Sequence, residues 1–171
     1  MQDPFNAPIK VISLWQPWAS LMAAGYKIDE TRHWKTSYRG PLAIHAAKTI
    51  DVAGAPEQLC RDAFGQHWSR ILPVGMVLAV GELTACVHTE SVVGRITAAN
   101  LEAGNFSKSR YAWRVKDIRP LTPMLPLIGR QGLFNWEPPA DLVDHLGPAV
   151  DHDAACRYIG WGAGTKSRAA A

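Results

Sequence analysis

Apolar and polar positions along this chain switch repeatedly between a period of two and a period near 3.6, and the switches outline its elements. Residues 9–14, IKVISL, are dense in β-branched side chains and predict a strand. Directly afterwards Trp18, Leu21 and Met22 recur at i, i+3 and i+4, the apolar stripe of a short helix. Pro17 suits its first turn and Gly25 its end. YKIDETRH, residues 26–33, alternates again, with Ile28, Glu30 and Arg32 on one face and Lys27, Asp29 and Thr31 on the other. Lys27 joins Glu30 only if it lies at a bent entrance to this strand, beside Gly25. Turn chemistry at SYRGP, 37–41, precedes the strand LAIHAAK, 42–48, where His45 faces away from Leu42, Ile44 and Ala46.

Residues 51–71 hold Leu59, Phe64, Trp68 and Ile71 at helical spacings after Pro56 and predict one or two helices. GMVLAVGELTACVHT, 75–89, is the longest β-like run, and Gly81 within it marks a bend or bulge. SVVGRITAANLEAGN predicts a short helix and loop. RYAWRVKDIRPL alternates once more, and PMLPLIGRQGLFNW predicts a final pair of short strands around Gly129 and Gly132. Beyond Pro138 the chain turns rich in Pro, Ala, Asp and Gly, and 160–171 has the composition of a frayed tail. Short strands, one helix between the first two, and glycine bends predict a small curved barrel with helices covering its ends.

Length and charge narrow this picture. The 171 residues suit one domain, with 1–8 as an N-terminal extension, 9–138 as the folded unit and 139–171 as a C-terminal extension. Eighteen Lys and Arg against fifteen Asp and Glu leave a net charge of only +3, but the charges are segregated. Basic residues gather between Lys27 and Lys48 and between Lys108 and Arg119, while the acids lie mainly in 51–62 and 137–153. That predicts a basic face, of the kind that meets phosphates or is simply solvated. Cys60, Cys86 and Cys156 are far apart and odd in number, which supports neither a disulfide framework nor a thiolate zinc site. His145, His152 and Cys156 match no common metal-ligand spacing, so no metal and no cofactor is expected. Neither a signal-peptide pattern nor an apolar run of ~20 residues is present, so the expectation is a cytoplasmic protein with no membrane partner.

SLWQPWASLMAAGYKIDETRHW followed by YRGPLAIHAAK resembles the ASCH domain family within the PUA-like group. The matching positions are Gln16, Pro17, Trp18, Ala19, Gly25, Lys27, Glu30, Arg32, His45, Ala46 and Lys48. RYAWRVKDIRPL and GRQGLFNW are similar to the closing strands of bacterial and phage members. The resemblance implies an α+β fold, a PUA-like barrel of about six strands with flanking helices. It also implies a cleft beside the first helix that holds Gly-x-Lys-x-x-Glu-x-Arg and takes RNA or a modified nucleotide. Some members are amidohydrolases that deacetylate N4-acetylcytidine, and ribonuclease activity has been attributed to others. Those amidohydrolases carry a threonine at the position of Glu30, acting with the lysine; here Thr31 stands one place later.

The candidate residues follow. Lys27 and Glu30 are the proton-handling pair if the protein is a hydrolase. Glu30 could equally accept from an amino group on a base edge. Trp15 offers a stacking surface and Gln16 an amide for a base edge or for capping the helix. Arg32, His45, Lys48 and Arg130 complete a nucleotide-binding set, with Arg110, Arg114 and Gln131 as further rim candidates. Against these stand plainer readings: an ion-pair ladder along a strand, Trp18 as core, a structural histidine, or a protein-interaction domain with an incidental basic face.

Overall fold

The computed structural model describes residues 7–162. Six strands form one mixed sheet: β1 (Ile9–Gln16), β2 (Asp29–Arg32), β3 (Gly40–Ile50), β4 (Met76–His88), β5 (Tyr111–Pro126) and β6 (Leu133–Trp136). Their order is β2-β5-β4-β3-β1-β6. β1 and β3 run parallel, joined across α1 (Trp18–Ala23) and β2, and every other pairing is antiparallel. The expected α+β fold of about six strands is present. The sheet is curved rather than closed, because edge strands β2 and β6 are not hydrogen-bonded to each other.

Curvature comes from places where the ladder slips. β4 and β5 change register three times, once across Val80 and Glu82. Gly81 sits in that interval, and a Cβ there would come within 2.7 Å of the Val115 side chain and 2.9 Å of the Lys116 carbonyl. The close approach of two backbones, not turn geometry, therefore demands glycine at this bend. β5 bulges at Asp117, whose φ is +48°.

Alternation along β1 and β3 sends side chains into two separate cores. Ile12, Leu14, Leu42 and Ile44 face the core under α1, with Met22, Trp113 and Val115. Ile9, Val11 and Ala43 face the opposite side, with Val77, Val80 and Leu121. On that second face the polarity changes along the strand. After Ile9 and Val11 come Ser13 and Trp15; after Ala43 comes His45. The apolar layer gives way to an open, polar end, and the clefts lie there.

A third cluster joins Leu21 of α1 to α2 (Glu57–Phe64), α3 (Trp68–Ile71), α4 (Ala98–Glu102) and α6 (His152–Tyr158). α6, and the single turn α5 (Leu142–His145), fall where composition predicted only turns. Asp151 caps α6 by accepting from the Ala154 N–H, and Cys156 and Trp161 are buried beneath it. The tail expected over 160–171 therefore begins with a buried Trp161; its remainder from residue 163 lies outside the described residues. PMLPLIGRQGLFNW yields one new strand, β6, because its first half continues β5 to Pro126. Among the described residues no helix is long and apolar enough to cross a membrane, and no cluster of metal-ligating side chains occurs.

Candidate functional site

α1 ends at Gly25, whose φ of +84° turns the chain sharply toward β2. The strand begins only at Asp29, so Lys27 lies in the bend rather than on the strand's far face. This is the geometry that alternation alone forbade. Lys27 Nζ comes within 3.2 Å of Glu30 Oε2 and donates to the carbonyls of Asp29 at 2.7 Å and Ala103 at 2.9 Å. At 1% exposure it is a buried cation that donates to two backbone carbonyls and is ion-paired with Glu30. Glu30 is also buried, and its Oε1 lies 2.8 Å from Arg32 Nε. That N–H is not aligned with the carboxylate, so the contact is an ion pair without a hydrogen bond.

A second charged group braces this floor from behind. Asp29, fully buried, accepts from Arg114 Nη2 and Asn100 Nδ2, each at 2.7 Å. Asn100 Oδ1 in turn accepts the backbone N–H groups of Ile28 and Asp29. The Asp29 carboxylate raises the Arg114 pKa further above its ordinary value. Arg114 is therefore a structural partner of β2 and does not serve the rim as the sequence suggested. Neither Asn100 nor Ala103 was legible beforehand, because each joins the site across more than 70 residues of chain.

Two clefts open above this framework. The first, about 520 Å³, is lined by Trp15, Trp18, Lys27, Glu30, Arg32 and Arg110, among others. The second, about 660 Å³, is lined by Trp34, His45, Lys48, Arg130 and Gln131, among others. Both volumes fall within the range of small-molecule sites. Ser13, Trp15, Arg32 and His33 line both clefts, so they form a shared wall. The Trp15 indole on that wall is 55% exposed. Lys48 and Arg130 also border a third depression beside Ile128, which extends the groove.

Lys27, Glu30, Arg32 and Trp15 thus converge on one concavity, and Lys48 and Arg130 on its neighbour. Two candidates change meaning. Gln16 faces no cleft: it is buried, its Oε1 accepts the Ser20 N–H, and its Nε2 donates to Ser20 Oγ and the Pro73 carbonyl. Of its two readings, the amide anchors α1 and is not available to a base. His45 borders the second cleft, but both ring nitrogens are engaged, Nδ1 with Ser13 Oγ and Nε2 with the Leu127 carbonyl, each at 2.9 Å. Burial lowers its pKa, so the ring is neutral at physiological pH. Trp18, assigned to the core by its helical stripe, stands half-buried on the first cleft's wall while Leu21 and Met22 take the core. Cys60 and Cys156 are buried thiols with pKa values pushed up to about 12 and about 11, which makes them poor nucleophiles.

A curved mixed sheet with a charged cleft beside its first helix defines a small α+β domain. The ASCH domain profile matches residues 12–123, well over half of the chain, and the protein belongs to the ASCH domain family. Among solved structures, the chain is similar to ASCH from Zymomonas mobilis, at 18% identity and a TM-score of 0.48, covering 85% of this chain and 99% of that one. None of the curated proteins matches it.

Proposed function

We propose that this domain binds single-stranded RNA, seating one base in the first cleft and leading the adjoining backbone past Trp15 into the second. The observation that carries this reading is the shared wall. An exposed indole stands between two clefts, one floored by a carboxylate and the other rimmed by cations. Bases of any kind stack on an indole. A carboxylate held at a fixed position accepts from an exocyclic amino group, as on cytosine N4. Arg32, Lys48 and Arg130 face the path as phosphate contacts, and Arg110 closes the first cleft while donating to the Thr31 and Asn105 carbonyls.

The buried state of Lys27 supports binding over hydrolysis by a Lys27–Glu30 pair. Two of its N–H groups are donated to the Asp29 and Ala103 carbonyls and its charge is paired with Glu30, which ties it to the floor. Lys27 is then a positioning residue that fixes the Glu30 carboxylate.

Fluorescence anisotropy with a labelled single-stranded RNA of eight nucleotides, titrated from low to moderate salt, tests this reading. The expected result is binding whose log affinity falls with log salt at a slope of roughly −2, from about three phosphate contacts at ~0.7 each. Absence of binding at low salt, or binding without salt dependence, contradicts it. Incubation with N4-acetylcytidine and with unlabelled RNA should leave both substrates intact.

A further inference from the structure

Ser13 and His45 are register partners in the parallel β1–β3 pair, and their side chains meet on the face that opens into the second cleft. The hydrogen-bond polarity of this pair is determined. A backbone carbonyl only accepts, so His45 Nε2 carries the proton that it donates to Leu127. A neutral ring with its proton on Nε2 leaves Nδ1 as an acceptor, and Ser13 Oγ donates to it at 2.9 Å. The hydroxyl proton is aimed at a base, and the lone pairs of Oγ are left for the cleft.

Two further features fit this arrangement. Gly129 packs directly on the pair: a Cβ there would lie 2.6 Å from His45 Cε1 and 2.8 Å from Ser13 Oγ. Arg32 on the shared wall reaches the Ser13 carbonyl with Nη2 at 3.4 Å, and its buried Nε–H has no aligned acceptor.

We propose that Ser13 is a nucleophile served by His45 as general base, making the second cleft an acyl-transfer centre for activated carboxylic esters. A nucleophile within hydrogen-bond reach of a base, with that base oriented by a third group, is the arrangement such catalysis requires. Ser13 Oγ bonds to the ester carbonyl carbon as its proton passes to His45 Nδ1, and Arg32 supplies positive charge beside the developing oxyanion. The C–O bond to the leaving group then breaks, the alcohol leaves with the proton from Nδ1, and acyl-Ser13 remains. Water attacks the acyl carbon, its proton passes to Nδ1, and release of the carboxylic acid returns a proton to Ser13 Oγ. The third group is a carbonyl and not a carboxylate, so the imidazolium formed on the way is weakly stabilised. That restricts the substrates to esters with good leaving groups and excludes ordinary amides.

The test uses the full chain without RNA, so its outcome is separate from that of the RNA reading. A fluorophosphonate probe loses fluoride as Ser13 Oγ bonds to phosphorus, and peptide mapping locates the adduct. The expected result is modification at Ser13, abolished in Ser13→Ala and slowed at least tenfold in His45→Gln. Gly129→Ala, which alters neither residue but whose Cβ would crowd both, should slow it comparably. If circular dichroism shows His45→Gln unfolded, Gly129→Ala decides. An unmodified Ser13 after prolonged exposure to excess probe overturns the proposal. So does a labelling rate unchanged in whichever of these variants is folded.

Discussion

The floor of the first cleft and the rim of the second both carry charge, but they hold it in opposite ways. On the floor, Lys27, Asp29 and Glu30 are buried, and each is held by ion pairs or hydrogen bonds to α4, β5 or its own segment. On the rim, Lys48 and Arg130 are exposed, and Trp15 turns its indole to solvent. Charge taken out of water is tolerated only with full partnering, so the floor residues are committed to the fold. Exposed cations cost the fold little and are free to meet a phosphate. The buried floor thus serves the fold while the exposed rim stays open to solvent, and mutation should separate the two.

The largest effect is expected at Asp29. Asp29→Ala strands Arg114 and Asn100 together, and breaking a buried ion pair from one side costs about 3–5 kcal/mol. Thermal unfolding should show a fall on the order of 10 °C for a chain of this size. Lys27→Met should be destabilising by a similar mechanism, because the Ala103 and Asp29 carbonyls lose their donor. Next comes Trp15→Ala. It should weaken RNA binding by about tenfold or more, from ~1–3 kcal/mol of lost stacking, with the melting temperature nearly unchanged. Equal losses of stability and binding in that variant would erase the distinction between floor and rim.

Smaller still is the expected effect of Lys48→Ala combined with Arg130→Ala. The pair should reduce the salt slope of RNA binding by roughly 1.4, at ~0.7 per phosphate contact, while stability stays the same. The smallest effect concerns pH. Burial lowers the folded-state pKa of His45, so the unfolded chain binds more protons over the interval below about 6.5. Stability should therefore fall as the pH drops through that interval, and His45→Gln should flatten the dependence in denaturant titrations at pH 5 and pH 7.5.

How much of this was legible depends on sequence distance. The meeting of Lys27 with Glu30 could be anticipated, because Gly25 marks the bend and both residues lie within one short segment. The Asp29–Arg114 pair could not, since 85 residues separate its members and only the β2–β5 register brings them together. Gln16 was ambiguous because an amide at a strand–helix junction serves a base or a helix turn equally well. Trp18 was misplaced because a three-residue stripe on a six-residue helix leaves its first member at the rim. α6 was missed although Asp151 before HDAACRY is a capping signal, because proline and glycine on both sides dominated the composition. Ser13 drew no notice in the sequence, since one serine in an apolar strand looks ordinary until its register partner is known.

The most direct measurement of the central claim is an NMR titration of the labelled protein with a single-stranded RNA hexamer. Backbone amides of residues 13–15, 30–32, 47–48 and 129–131 and one indole N–H, lost in Trp15→Ala, should shift together with a single affinity. Shifts confined to one cleft, or appearing on the faces of α5 and β6 instead, would contradict a continuous groove.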